Sequence, residues 1–418
     1  MYDCIVIGGG ASGLMAAGRA AEVGQRVLLL EKNRSLGEKL KITGNGRCNI
    51  TNAEFDVRTF AKAYGASEQF LYSLFAQFGV AETFEFFESR GLPLVVEERK
   101  RAFPHTFNAL DVLRVLEEYV RSSGVELRLG TAVTRIEMSD GSIKAVHCGK
   151  ERHEARSFIF STGSVSHPET GSTGDGFTWL RELGHTIVTP TPTVVPLAVK
   201  EEWVTQLAGV TLPNMQITFQ VGGKKVFSKR GSLLFTHFGL SGPLILNSAS
   251  AVADLLRSDT VTAAIDLFPT LDLGALEREI IRIFDANKNK ILRNVCGEFV
   301  TGGVAKGVLM LLETRLDTEI KVHSVTKEDR KVIARMLKAL PLTVTGLMGF
   351  DRAVVADGGV PLTELDMRTM RSRIVPNLYL TGDLLHINRP SGGYSLQLCW
   401  STGYVAGSSC VRDERRRR

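Results

Sequence analysis

The sequence predicts an α/β fold: a Rossmann-like domain assembled from both ends of the chain, with a small β domain and a helical segment inserted between them. Three observations predict it. Residues 2–7 are an apolar strand, Gly8 to Gly13 a glycine turn, Leu14 to Val23 an alanine-rich helix, and Arg26 to Leu30 a second strand ending at Glu31. That is a βαβ unit in order. Beyond about residue 190 the pattern changes to short strands and glycine turns, and over 271–340 it changes again to helical periodicity. The end of the chain then returns to strands that stop at glycines.

Taken in order, Ala109 to Ser122 carries leucines and valines at helical spacing, and Glu126 to Leu129 and Ala132 to Ile136 alternate like strands. Pro190, Pro192 and Pro196 mark the change of style, and Met215 to Val221 and Val261 to Leu267 read as strands of a small β domain. Leu276 to Ile283 has the spacing of an amphipathic helix. Ala353 to Val360 and Leu378 to Asp383 resemble strands that end in glycine turns, and Leu396 to Gly407 predicts a closing helix.

Length and composition agree with this organisation. A chain of 418 residues exceeds one ordinary core and implies two or three domains. Hydrophobic residues at 44% and charged residues at 23% exclude the disordered and fibrous classes. No apolar run reaches the ~18 to 20 residues of a membrane span, and the N-terminus opens directly into a strand, which predicts a cytoplasmic protein with no membrane partner. The cysteines (Cys4, Cys48, Cys148, Cys296, Cys399 and Cys410) are scattered, so neither a disulfide framework nor a metal site is expected. The formal charge of +6 and the run Arg415 to Arg418 leave two readings open, a polyanionic partner or a solvated tail.

Gly8, Gly10 and Gly13 fill the pattern G-x-G-x-x-G between a strand and a helix. The first glycine permits the turn, the second admits a diphosphate to the backbone, and the third lets helix and strand pack closely. Phosphates then sit at a helix N-terminus, where free N–H groups and the dipole favour negative charge. Glu31, at the end of the second strand, can accept hydrogen bonds from ribose hydroxyls. The motif implies a dinucleotide, and an inserted β domain with a late Gly-Asp suits FAD better than NAD.

Four further segments, Thr43-Gly44-Asn45-Gly46-Arg47-Cys48-Asn49, Gly171-Ser172-Thr173-Gly174-Asp175-Gly176, Phe235-Thr236-His237-Phe238-Gly239-Leu240-Ser241-Gly242-Pro243 and Gly392-Gly393-Tyr394-Ser395-Leu396-Gln397, resemble the HI0933-like flavoproteins over nearly the whole chain. The resemblance implies an FAD-binding domain over 1–189 and 366–418, a β-barrel over 190–270 and 343–365, and a helical insert over 271–342. With the glycine motif it gives a cofactor set of Gly8, Gly10, Ala11, Ser12, Gly13, Glu31, Lys32, Gly46, Arg47, Cys48, Asn49, Val133, Thr162, Gly163, Gly382, Asp383, Gly392, Gly393 and Tyr394. Within it, Arg47, Cys48 and Asn49 are expected near the flavin, Ser161-Thr162-Gly163 along the cofactor, and Asp383 at the ribityl chain. The chain departs from the common pattern at His386, Asn388 and Ser395, where many members read Asp, Asp and Asn.

A flavin supplies the redox chemistry, so the protein must position substrate against it. No second complete glycine fingerprint follows the first. Gly302 to Gly307 comes nearest and reads as a turn between helices, so NAD(P)H is expected as a transient reductant. His237 is a candidate catalytic acid or substrate ligand, with a buried structural histidine as the alternative. Cys48 is a second candidate acid, with core packing as its alternative. The family is reported to include a ribosomal RNA dihydrouridine synthase, a reductase of conjugated steroid ketones and an oxidase of small amines. The basic residues Lys224, Lys225, Lys229, Arg230, Lys288, Lys290 and Arg293 and the arginine tail favour ribosomal RNA as partner, hence uridine reduction. A small-molecule amine oxidase or enone reductase, and a flavin-binding ribosome factor without turnover, are the other readings.

Overall fold

The computed structural model describes residues 1–257, 259–300 and 302–410. The arginine tail lies outside the described residues. Two compact units are present, one formed by residues 1–192 with the chain from Val354 onward, the other by Thr193–Ala353.

The first unit is built on a parallel sheet. β1 (Tyr2–Ile7) is buried from Cys4 to Ile7, as a central strand covered on both faces requires. α1 (Ala11–Glu22) starts three residues before Leu14, because nothing in Ala11-Ser12-Gly13 stops a helix from running back to the turn at Gly10. There follow β2 (Val27–Leu30), α2 (Ala109–Ser122), β3 (Glu126–Arg128), β4 (Glu151–Phe160), α3 (Asp175–Glu182), β5 (Leu378–Leu380) and α4 (Tyr394–Ser409). α2 is capped by the Asn108 side chain, which accepts from the Leu110 N–H at 3.0 Å. The five strands run parallel in the order β5-β4-β1-β2-β3. The chain therefore reverses its direction of travel across the sheet at β1 and β4, and the ends of those strands form the topological switch point.

The expected strand over Ala132 to Ile136 is displaced: pairing begins only at Arg135, in Arg135–Ser139. Gly130 and Thr131 are instead tied to the end of β2, where the Thr131 N–H donates to Glu31 O and the Gly130 N–H to Asn33 O, both at 2.8 Å.

α1 and α4 meet backbone to backbone. A Cβ on Gly403 would collide with the Ser12 carbonyl, and one on Gly407 would sit 2.5 Å from the Ala16 carbonyl. Next to this contact lies Gln397, fully buried with its amide fully engaged. Its oxygen accepts from Thr51 Oγ1 at 2.6 Å and Thr83 Oγ1 at 3.0 Å, and its nitrogen donates to Gly79 O at 3.0 Å and Ser401 Oγ at 3.1 Å. A buried polar hub of this kind is stable only when every member is satisfied.

In the second unit, six strands close a barrel in the order Leu197–Val199, Gly239–Ser241, Lys224–Thr236, Thr211–Val221, Val261–Asp266 and Leu340–Leu347. Four α-helices, Leu273–Ala286, Leu292–Phe299, Ala305–Glu313 and Lys327–Lys338, lie between the last two strands. The helical stripe Leu276, Ile280 and Phe284 belongs to the same hydrophobic core as the barrel residues Ile217, Phe219, Phe235 and Ile265. Barrel and helices thus share one interior.

Gln397→Leu is expected to cost about 2 kcal/mol, because it leaves the buried Thr51 hydroxyl without its acceptor. Urea denaturation checks this: the midpoint should fall with an unchanged slope, and an unaltered midpoint would show that the hydroxyls find other acceptors.

Candidate functional site

A cleft in the first unit opens at the carboxyl ends of β1, β2 and β4. It has about 1170 Å³ of space free of protein atoms, part of it open to solvent. Ile7 to Ser12, Leu30 to Asn33, Gly37 to Leu40, Thr131 to Val133, Ser161 to Gly163, Thr170 to Ser172, Asp175 and Asp383 all line it, as do Ser395, Leu396 and Cys399 on α4.

The glycine turn forms one wall. Gly8 has φ of +105°, and a Cβ there would lie 2.5 Å from Ser161 O, so this position cannot carry a side chain. At Gly10 an added Cβ would meet nothing within 4 Å, which leaves bare backbone facing open space. Gly13 lies behind, where a Cβ would strike the Gly8 carbonyl; it lets α1 pack against the turn without lining the cleft. α1 has no side-chain cap and no acid in its first turn, so its free N–H groups and positive dipole end serve whatever occupies the cleft. Glu31 is held by two backbone donors, Gly9 N–H at 2.6 Å and Asn33 N–H at 2.8 Å, which fix its carboxylate at the cleft wall.

At another part of the lining stand Asp383 and Lys39. Lys39 Nζ lies 2.5 Å from Ser166 Oγ and 3.3 Å from Asp383 Oδ2. Behind Asp383 the buried Arg389 donates to its other oxygen, to Ile387 O at 2.6 Å and to Ser395 Oγ at 3.2 Å. Burial pushes the Asp383 carboxyl up, but the charges of Arg389 and Lys39 outweigh it and hold it below the ordinary aspartate value. Cys399 is pushed up to about 12 by burial and by Asp383, so it stays a thiol.

These groups suit a dinucleotide. The cleft presents an uncapped helix N-terminus beside a glycine turn without side chains, a carboxylate fixed at the end of β2, and the buried hydroxyl of Thr162, which has no partner among the described residues. Residues that would hold FAD are the Gly8 to Ser12 backbone for the diphosphate, Glu31 for ribose hydroxyls and Asp383 with Lys39 further along.

Of the residues expected from sequence, Gly8, Gly10, Ala11, Ser12, Glu31, Lys32, Val133, Thr162, Gly163 and Asp383 come together on this lining. Others stand elsewhere. Gly382 packs on Ser12 and gives its N–H to Thr402 Oγ1 at 3.0 Å. Arg47, next to Gly46, reaches Glu97 at 2.5 Å and stacks on Phe103 and Phe107. Cys48 is wholly buried, and burial pushes its thiol up to about 12, unsuited to proton donation near neutrality. The Asn49 amide spans Ala102 O, Thr51 O and the Gly393 N–H, so it braces the Gly392-Gly393 turn. Tyr394 packs with Phe60 and Tyr64. His237 belongs to the second unit, exposed on the turn between Lys224–Thr236 and Gly239–Ser241, and not in a core. Sequence reasoning missed Lys39, Asn33 and Arg389. Only Arg389 carried a signal, a charge beside the apolar run Leu384 to Ile387 that burial would oblige to find a partner.

Among the described residues no group of His, Cys, Asp or Glu could hold a metal ion, and no helix is long and apolar enough to cross a membrane.

Arg389→Met should destabilise the fold by about 3 kcal/mol at pH 7, because it strands a buried carboxylate. A carboxyl depressed in the folded state stabilises above its unfolded value of about 4, and that contribution is lost as pH falls through its folded value. Losing Arg389 raises the folded value, so the acid limb of a urea midpoint against pH profile should move upward. Parallel profiles for wild type and variant would show that Arg389 does not govern Asp383.

The HI0933-like protein Rossmann domain family matches residues 2–409. The chain is 31% identical to the 3-dehydro-bile acid delta(4,6)-reductase of Clostridium scindens over 97% of this chain and 98% of that protein. It is 26% identical to the ribosomal RNA dihydrouridine synthase of Haemophilus influenzae, over 98% of each. In fold it is similar to the 3-ketosteroid-delta4-(5alpha)-dehydrogenase of Rhodococcus jostii RHA1, with a TM-score of 0.54 at 15% identity, covering 99% of this chain and 97% of that one. With a family match over nearly its full length and a glycine-turn cleft of matching chemistry, the chain belongs to the HI0933-like family and is an FAD-dependent oxidoreductase.

Proposed function

We propose that the protein uses NAD(P)H to reduce a carbon–carbon double bond conjugated to a carbonyl, in a small ketone. The observation that carries this reading is the full-length similarity to a protein named as a bile-acid delta(4,6)-reductase. FAD, held by the residues of this cleft, would supply the two-electron redox chemistry between a nicotinamide and the conjugated double bond. The chain's own part is to fix the diphosphate on the α1 N-terminus, seat the ribose on Glu31, and keep Asp383 ionised between Lys39 and Arg389. The α carbon also needs a proton, which an acid side chain or water must deliver. With one glycine fingerprint in the sequence, the nicotinamide visits transiently.

The second reading is uridine reduction in ribosomal RNA. It is supported by the relatives named as ribosomal RNA dihydrouridine synthases, and it uses the same chemistry, since C5 and C6 of uracil are a double bond conjugated to a carbonyl. The basic side chains that favoured RNA are largely engaged. Lys229 donates to Asn247 O at 2.5 Å and Arg230 to Pro269 O at 2.6 Å. Lys288 pairs with Asp285, Lys290 with Glu298, and Arg293 with both Glu313 and Glu319. Binding phosphates would compete with these partners, which tilts the balance to a small ketone.

Anaerobic mixing separates the readings. Excess NADH or NADPH should bleach the flavin band, and a 4-en-3-ketosteroid probe should restore it, whereas ribosomal RNA should not. A flavin that stays oxidised under both nicotinamides would overturn the proposal. Recovery by RNA alone, with dihydrouridine missing from the ribosomal RNA of a deletion strain, would establish the second reading. Peroxide formed from an amine in air without nicotinamide would mark an oxidase.

A further inference from the structure

The segment 161–174, which joins β4 to α3, contains no strand and only one short 3₁₀ turn at Pro168–Thr170. Its far end is nevertheless pinned to the end of β2 by side chains. Lys32 Nζ donates to Thr173 Oγ1 at 2.5 Å and to Asp175 Oδ2 at 2.7 Å, and Thr173 Oγ1 donates to Asp175 Oδ1 at 2.9 Å. Asn33 Nδ2 donates to Thr170 O at 2.9 Å. Asn33 is itself held from two sides, since its N–H donates to Glu31 Oε1 at 2.8 Å and its carbonyl accepts from Gly130 N–H at 2.8 Å. Lys32, Asn33, Thr170, Gly171, Ser172 and Asp175 all line the cleft.

We propose that this clasp is a strap over the Glu31 end of the cleft, and that Lys32 is a positioning residue which retains the adenosine half of FAD by holding the strap shut. The inference rests on the FAD reading of the cleft. The motif over 171–176, which the glycine turn leaves without a role, acquires one: Thr173 and Asp175 are the strap's anchors. Lys32 has its charge committed to Asp175, so its part is to close the wall and not to bind phosphate. FAD can enter or leave only when the contacts of Lys32 with Thr173 and Asp175 part. Lys32 and Asp175 are partly exposed, with side-chain exposures of 29% and 45%, so the pair is open to screening by salt.

The experiment is release of FAD from the purified holoprotein, followed by the rise in flavin fluorescence after dilution far below the concentration at which FAD rebinds. Lys32→Met and Asp175→Asn should each speed release roughly threefold to tenfold, the range expected for losing a partly exposed pair with its hydrogen bonds. The exchanged double variant Lys32→Asp with Asp175→Lys should recover much of the wild-type rate. Raising KCl from 50 mM to 1 M should accelerate release from wild type and change it little in Lys32→Met. Equal release rates for wild type and both single variants, or no salt effect on wild type, would overturn the strap. A purified chain that neither carries nor takes up FAD would overturn the reading beneath it. If a single variant does not fold, the wild-type salt dependence alone decides.

Discussion

The architecture of the first unit depends on the contact between α1 and α4. Gly403 lies on Ser12 and Gly407 on Ala16, so the two helices advance in the same direction along their seam. Their N-termini therefore arrive at the same end of the sheet, where β1 and β4 also stop. Gly10 and Gly393 are the caps, and neither helix has a side-chain cap there. The seam is reinforced between the strands: Thr381 Oγ1 meets Ser161 Oγ at 2.7 Å and Ser12 Oγ at 3.1 Å, tying β5, β4 and α1 together. A side chain at either glycine would part the helices and open the cleft's floor.

The electrostatics of the cleft follow from that arrangement. Two helix N-termini put partial positive charge on the lining, and the acids there are each restrained. Glu31 is held by two backbone N–H groups, Asp175 by Lys32 and Thr173, and Asp383 by Lys39 and Arg389. Each carboxylate faces the cleft already desolvated in part and already oriented, which reduces what must be reorganised when a polar ligand enters.

What the sequence made legible is what is encoded locally. A strand, a glycine turn and a helix lie within the first two dozen residues, and their chemistry can be read from spacing alone. The lining residues Val133 and Thr162 were reached through resemblance, since nothing in their own neighbourhoods marks them, whereas Asp383 ends a strand at a Gly-Asp turn. Recognisable segments can also serve packing: Asn49 braces the Gly392-Gly393 turn and Gln397 the α4 contact. Lys39 was illegible for another reason. Its partner, Asp383, is distant by 344 positions, and no local pattern announces a pair that only the fold brings together.

The construction of the first unit from both ends of the chain has a consequence for its biogenesis. Arg19 on α1 bonds Ser408 on α4 across 389 positions of sequence. During synthesis α1 emerges with Leu14, Met15, Ala16 and Ala17, all buried in the finished fold, long before α4 exists to cover its side of them. Non-local closure of this kind is slow, and the uncovered apolar surface invites association in the interval. Until Tyr394–Ser409 is made, the side of α1 that it covers stays open to solvent, and the cleft lacks the Ser395, Leu396 and Cys399 part of its lining.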